Sequence, residues 1–549
     1  MRGRRLHLGR TLRRVAVAAA LALAGRAASA PPAAPAPRSV PAAAHLGINL
    51  EAVADWAPQP FFADVIKQGR PWHAPGNVHA PAPLDANGWP TGDAGIIVGT
   101  PPARMGRAVP YRLTFRGDAK VSAESATIRN QVHDGATRTT TADVQIEPGG
   151  NVVLTFRGQA GGVKDVRLLR PGHAPEEVFA RDLLARLSMF PVVRFMQALG
   201  ENGVGSPANP DVDWTDRARP GRATQTGKNG IAWEYVVLLA NQVGKDVWIN
   251  VPLKASDEYV RKLAQLIRFG SDGANPYTSP QGKPVYPPFD PSRAVYVEYV
   301  NELWNGIYPS TGENQRLAIA EIAQGDPHHY QYRSGSDFHY GMRRLGRQTA
   351  RISEIFRSVF GDAEMMTRVR PVLAAQIDNS GTLYTPLEYL EAVHGPGNRF
   401  GNPPRPVSYH VYAGAGAPYV GLTRDADGLS VDDIFDQMTS HLHTVVLPAI
   451  TSAKKACDRF GIRLVAYEGG QHLAGKRSVA AKVAAQDDPR MKDILVRLMR
   501  HWSATGGDLF TYYSLCSSYG EYGSFGLSSD ISVDSTVKWQ AVKEVTRGP

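Results

Sequence analysis

Cysteine is nearly missing: Cys457 and Cys516 are the only two among 549 residues. Two thiols allow one disulfide but neither a disulfide scaffold nor a cysteine-rich zinc centre. Cys457 closes a helical pattern and Cys516 follows a strand pattern, so both are expected to be unpaired and buried. Also missing are a His-Glu-x-x-His zinc pair, a G-x-S-x-G nucleophile elbow and a phosphate loop ending in G-K-[ST]. His328-His329 stands without such a context, so no metal site and no cofactor are expected. Gly203-x-Gly205-x-x-Ala208 imitates a dinucleotide fingerprint. Pro207 and Pro210 flank its end, however, and no helix follows. No apolar run is long enough to span a membrane.

Acidic residues are absent from the first thirty positions, which carry seven arginines. A basic start, the short apolar core VAVAAALALAG and Ala28-Ser29-Ala30 read as a signal peptide over 1–30, so a secreted or periplasmic protein is expected. Those seven arginines account for most of the formal +10; without them +3 remains. The basic balance therefore belongs to the targeting segment and gives no ground for a nucleic-acid partner.

What is present is two textures. After a Pro/Ala linker at 31–43, HLGINL (45–50) is a short apolar strand. Residues 80–172 then alternate apolar and polar in short runs broken by Gly, Pro and Asp, the pattern of an antiparallel sandwich-like subdomain. From 173 onward helix and strand alternate: PVVRFM, DVWINVP, AVYVEYVNE, AEMMTRVRPVLA, RPVSYHVYA, IRLVAYEGG and DLFTYYSL are strands, each preceded by a helical pattern. With HLGINL this makes eight, so 44–79 and 173–549 are expected to form an α/β, (β/α)8 TIM barrel with 80–172 inserted after its first strand. An open doubly wound sheet with a separate β domain is the alternative.

In a barrel of this kind chemistry sits where strands end and the following loops begin. The polar residues there are Arg194, Asn250, Asn301-Glu302, His410 with Tyr412, Glu468, and Tyr512-Tyr513. Glu302 and Glu468 would face each other across the mouth. Glycoside hydrolysis needs such a pair, one acid protonated at the leaving oxygen and one ionised as nucleophile, about 5–5.5 Å apart in the retaining version. Arg194 and a tyrosine donor would hold Glu468 ionised, and Gly469-Gly470 would let loop backbone approach a ligand. Trp304, with Trp56 and Trp214, could stack on sugar rings. The segments 197–230 and 303–336 would wall a cleft, with Asp213, Asp216 and Arg217 as further contacts. Glu298, one pleat repeat before Val300, should be a buried scaffold acid.

These residues carry a resemblance. VEYVNELWN, with Asn301-Glu302, resembles the acid/base strand of clan A glycoside hydrolases, and VAYEGG, with Glu468, resembles their nucleophile strand. Arg194 in VVRFM is similar to their second-strand arginine, and SYHVY is similar to the His-x-Tyr of cellulase-like members, which would put His410 and Tyr412 in the site. The resemblance implies a retaining glycoside hydrolase acting on a poly- or oligosaccharide, with β-linkage favoured. Two departures are Tyr512 or Tyr513 where a Trp platform is common, and Asn250 where cellulases often carry His. A carbohydrate-binding protein without catalysis is the alternative. Oligomeric state is left open.

Overall fold

The computed structural model describes residues 46–99, 109–146, 151–158, 160–202 and 209–547. The signal-peptide and linker readings, and the Gly203–Ala208 imitation of a dinucleotide loop, lie outside them.

Eight parallel strands close into a barrel. They are β1 (Leu46–Asn49), β2 (Val192–Arg194), β3 (Asp246–Val251), β4 (Val295–Tyr299), β5 (Val369–Ala374), β6 (Ala413–Gly416), β7 (Arg463–Ala466) and β8 (Phe510–Tyr512). Closure is made at β1, which pairs with β2 through Ile48 and Val193 and with β8 through Ile48 and Tyr512. Helices α1 (Arg181–Leu187), α2 (Trp233–Val243), α3 (Asp257–Phe269), α4 (Pro309–Ala323), α5 (Asp337–Phe360) and α6 (Ser380–His394) are among those that lie outside the strands. α3 shows how the sequence marks its limits. Ser256 accepts from the Tyr259 amide at the N-cap, and Gly270 ends the helix with φ 82°.

Alternation along the strands divides two cores. Trp248, Tyr296, Val372, Ala413, Ala415, Val465, Tyr467 and Leu509 fill the barrel interior, while the intervening residues pack against the helices. Trp248 and Tyr296 stack at 5.3 Å. Bulk on β3, β4 and β7 is matched by alanine on β6, which reads AGAG.

β6 differs from the sequence expectation. RPVSYHVYA is not the sixth strand: Val407–His410 is a single helical turn that starts from Pro406, and the strand begins at Ala413. The apolar alternation of VSYHVY imitates a strand, whereas small residues give AGAG little strand signal. The segment 303–336 is likewise no plain loop, since it holds α4, opened by Pro309 in the first turn.

The inserted segment forms two antiparallel sheets, one of four strands and one of five. Thr139–Ile146 alternates half-buried and buried at every position. Its core includes Trp72, Tyr111, Leu113, Phe115, Val144, Leu154 and Phe156. The sheets take in His73–Ala74 and Asn77–Pro81, so they begin before residue 80. Asp64 ties this unit to the barrel entry by accepting from the amides of Ile66 and Leu168. Both cysteines are free and buried. No helix among the described residues is long and apolar enough to cross a membrane.

The close packing of β6 gives a test. A Cβ on Gly414 would lie 2.8 Å from Cys457 Sγ and 3.0 Å from Leu383 Cδ1. Gly414→Val is therefore expected to cost about 1–3 kcal/mol in urea unfolding. Gly312→Ala, where a Cβ meets nothing within 4 Å inside α4, should instead gain about 0.5–1 kcal/mol.

Candidate active site

The C-terminal ends of β1, β2, β4 and β7 converge on one guanidinium. Arg194, at the end of β2, is fully buried. It donates from Nε (3.3 Å) and Nη2 (2.8 Å) to Glu298 Oε2, and from Nη1 to Glu468 Oε1 (2.9 Å) and Asn49 Oδ1 (3.0 Å). A further bond runs from Nη2 to Asn301 Oδ1 (2.8 Å). Burial alone would lower its pKa, but Glu298 and Glu468 reverse this and raise it, so the cation is permanent.

Glu468 lies two residues past β7. Its second oxygen accepts from Tyr419 Oη at 2.8 Å. Burial pushes the Glu468 carboxyl up, while Arg194 and the Tyr419 bond pull it down. Burial and the adjacent Glu468 push the Tyr419 phenol far up, so it keeps its proton and donates.

Glu302 lies beyond β4 and is 7% exposed. Its two oxygens accept from Tyr467 Oη and Asn305 Nδ2, each at 2.9 Å. Burial and then the negative Glu468 push its carboxyl up to about 7. The two acids thus differ in kind: Glu468 has a cation in contact, and Glu302 has only neutral donors. The backbone that presents Glu302 is bent. Val300 has φ 57° and Glu302 φ 46°, conformations that are costly for non-glycine residues, above all a β-branched one. The pleat therefore ends at Tyr299, and the turn aims Glu302. Glu298 remains in the pleat, facing inward with Oε2 on Arg194 and on Trp248 Nε1 (2.7 Å).

The other candidates separate. Asn301 joins Arg194 to Asn202, donating to Asn202 Oδ1 at 2.9 Å. Asn250 is fully buried and donates to the Val300 carbonyl, so it secures the bend and does not reach the cleft. Trp304 lines a cavity of about 350 Å³ together with Glu302, Tyr419, His441 and His472. Trp56 is 54% exposed and lines a second cavity, of about 420 Å³, with Arg70 and Gln197. Trp214 is buried beneath the Arg217 guanidinium, which is paired with Glu234. Neither is free to meet a ligand. Asp216 accepts from the amides of Val212 and Asp213 and so shapes its own turn.

His410 and Tyr412 are not in this site. Both precede β6, at the end of the barrel opposite the acids. The Tyr412 amide bonds the Pro371 carbonyl and its hydroxyl bonds Asp508, which precedes β8. The misplaced sixth strand is the cause. Tyr512 is corrected by parity: it faces outward into the helix-side core and its hydroxyl has no partner among the described residues, whereas Tyr513 turns toward the mouth and accepts from Gln197 at 2.8 Å. The glycines after Glu468 serve packing. A Cβ on Gly469 would lie 2.5 Å from the Phe510 ring, and one on Gly470 2.9 Å from the Tyr512 ring.

Sequence reasoning missed Tyr419, Tyr467 and Glu51. Tyr419 follows the true end of β6, and Tyr467 directly precedes Glu468. Glu51 follows β1, accepts from Ser514 Oγ and is pushed up to about 7, mostly by burial. The strand-end rule applied to β1 and to the true β6 would have found Glu51 and Tyr419.

No family model matches the chain, and no curated protein matches it. Solved structures do. A GH51 arabinofuranosidase from Xanthomonas axonopodis pv. citri aligns with TM-score 0.38 and 12% identity, over 63% of this chain and 63% of that one. A β-glucosidase from Thermotoga maritima aligns with TM-score 0.34 and 11% identity, over 67% and 86%. A GH5 family lichenase from Caldicellulosiruptor sp. F32 aligns with TM-score 0.34 and 12% identity, over 67% and 82%. The (β/α)8 assignment stands on the chain's own strand pairing, not on these alignments.

Arg194→Met is expected to leave Glu298 and Glu468 without their cation and to lower stability by about 3–5 kcal/mol, read from urea unfolding near neutral pH. An unchanged midpoint would mean that the carboxyls are not held by this charge.

Proposed function

We propose that this protein is a retaining glycoside hydrolase in which Glu468 is the nucleophile and Glu302 the acid/base. The observation that carries this is the asymmetry of the pair. Glu468 contacts the Arg194 guanidinium and the Tyr419 hydroxyl, which favour its ionised form. Glu302 has neutral donors only and a carboxyl pushed up to about 7, mostly by burial and then by Glu468. A proton-holding acid beside an ionised carboxylate is what double displacement needs. Glu302 would protonate the leaving oxygen while Glu468 attacks the anomeric carbon. Glu302, then ionised, would take a proton from the water that releases the sugar. Asn301, fixed between Arg194 and Asn202, would meet the sugar hydroxyl next to the anomeric carbon. The cavity lined by Trp304 includes Glu302 but not Glu468. It therefore suits the leaving group, with the Trp304 ring as a stacking surface. The substrate is a poly- or oligosaccharide, and the basic, acid-free first thirty residues support export.

Glu468→Ala should abolish turnover on an activated aryl glycoside panel, and azide should partly restore it with inverted product. Full activity of that variant, or glycan binding by the wild type with no bond cleavage, would sink the reading. Glu302→Ala should lower the rate on poor leaving groups by about 10²–10⁴-fold.

The pH profile follows from the same carboxyls. Glu302 must carry its proton, so the rate should fall as pH rises through about 7. Glu468 must be ionised, and its pKa is raised above the usual carboxylate value, mostly by burial, so the acid limb should lie above that of an exposed carboxylate. Glu51 also titrates near 7. Glu51→Gln should keep the alkaline limb of kcat/KM and Glu302→Gln should lose it; the reverse would reassign the acid.

A further inference from the structure

A third cavity, of about 460 Å³, opens on the outer wall of the barrel, between α5, the end of α6 and the segment that leads into β6. None of its lining residues lines the cavity that contains Glu302, and it lies before β6, whereas the acid pair lies beyond the strand ends. It is independent of the hydrolase reading.

Its wall is rich in donors. Arg347 and Arg405 line it, and among the described residues neither has a carboxylate within ion-pair distance. Arg347 uses Nε on His328 Nδ1 at 3.3 Å, which leaves its terminal nitrogens for another acceptor. The Arg405 guanidinium rests 4.6 Å from the centre of the Tyr409 ring, with its N–H edge free. His410 is 2% exposed, and among the described residues neither of its ring nitrogens makes a hydrogen bond. Glu354 Oε1, 3.6 Å from Nδ1, is too far to serve as acceptor. His394 stacks near it, with ring centres 4.9 Å apart and Nε2 also unpartnered. Burial first, then Arg347 for His394 and His394 for His410, lowers both rings, His394 to about 4 and His410 to about 3. At neutral pH each is therefore an uncharged imidazole with one N–H to give.

A buried donor without an acceptor is costly, and native interiors seldom leave one. Here His410 is such a donor, His394 adds a buried Nε2 without a partner among the described residues, and the guanidiniums of Arg347 and the exposed Arg405 line the same opening. A ligand that satisfies all of them must accept hydrogen bonds and carry negative charge. A divalent cation would instead meet two positive charges. Glu354 is the only carboxylate on the wall, and its side chain is half exposed. The volume exceeds what one inorganic anion fills and leaves room for a sugar ring that bears the anionic group.

We propose that this cavity is an oxyanion-binding site, with Arg347 and Arg405 supplying the charge and His410 and His394 the neutral N–H donors. Its ligand is inorganic phosphate or the carboxylate of a sugar acid.

Isothermal titration of the full-length protein tests this, with inorganic phosphate in one arm and glucuronate in another. Glucose serves as neutral control, and NaCl holds ionic strength constant. Saturable one-to-one binding is expected, weakened at least about tenfold by Arg347→Met and partly recovered by Arg347→Lys, with Glu354→Gln tightening it. Binding of phosphate alone assigns the free anion, and binding of glucuronate without glucose assigns the sugar acid. Absence of saturable binding in both arms overturns the proposal, as does affinity unmoved by Arg347→Met in a protein with unchanged circular dichroism. If Arg347→Met fails to fold, Arg405→Met, at an exposed position, gives the same readout.

Discussion

The mouth of this barrel depends on one buried cation. Arg194 is fully removed from water and bonds side chains carried by β1 and β4 and by the segments that follow β4 and β7. A single positive charge faces two carboxylates, Glu298 below and Glu468 above. Charge balance within this cluster is therefore already negative before Glu302 is considered. A third ionised carboxyl in the same buried volume would have no counter-charge. The raised carboxyl of Glu302 follows first from burial and then from the negative Glu468 beside it. Glu298, the scaffold acid, shares Arg194 with Glu468, so the cation is not given to Glu468 alone.

The strained turn after β4 belongs to the same arrangement. Glu298 and Glu302 stand four apart, so an unbroken pleat would stack them on one side of the strand, two repeats apart. Left-handed backbone at Val300 and Glu302 ends the strand instead, and Asn250 holds the Val300 carbonyl so that the bend is fixed. The adjacent hydroxyl of Tyr467 then meets Glu302 directly. Strain of about 1–3 kcal/mol per such residue is tolerated where surrounding bonds over-determine the geometry. Here Asn250, Tyr467, Asn305 and the Arg194–Asn301 bond do so.

Much of this was legible because the barrel rule converts order along the chain into position around a mouth. Apolar runs located seven strands, and a polar residue at the end of a run was enough to find Arg194, Glu302 and Glu468. The failures have one source each. VSYHVY alternates like a strand, whereas AGAG has no side chains large enough to show a pattern, so the sixth strand slipped toward the N-terminus. That slip drew His410 and Tyr412 into the site and left Tyr419 out. At β8 the strand was found but its parity was not, so Tyr512 and Tyr513 were not told apart. Arg217 and Trp214 looked like cleft residues because an ion pair with Glu234, seventeen residues on, cannot be seen in local pattern.

The glycines after Glu468 change meaning once parity is known. In sequence they suggest room for a ligand. In the fold, Phe510 and Tyr512 on β8 point outward and fill the space that side chains at 469 and 470 would need. The outward residues of β8 thus set the path of the chain just beyond Glu468. The Tyr513 amide bonds the Gly469 carbonyl, which locks the two segments together. Tyr512 therefore acts on the proposed nucleophile through packing and not through the substrate. Shrinking its ring would loosen the segment that carries Glu468 while leaving every polar contact of the carboxylate in place. The position of that carboxylate is fixed from inside the barrel by charge and from outside by aromatic bulk.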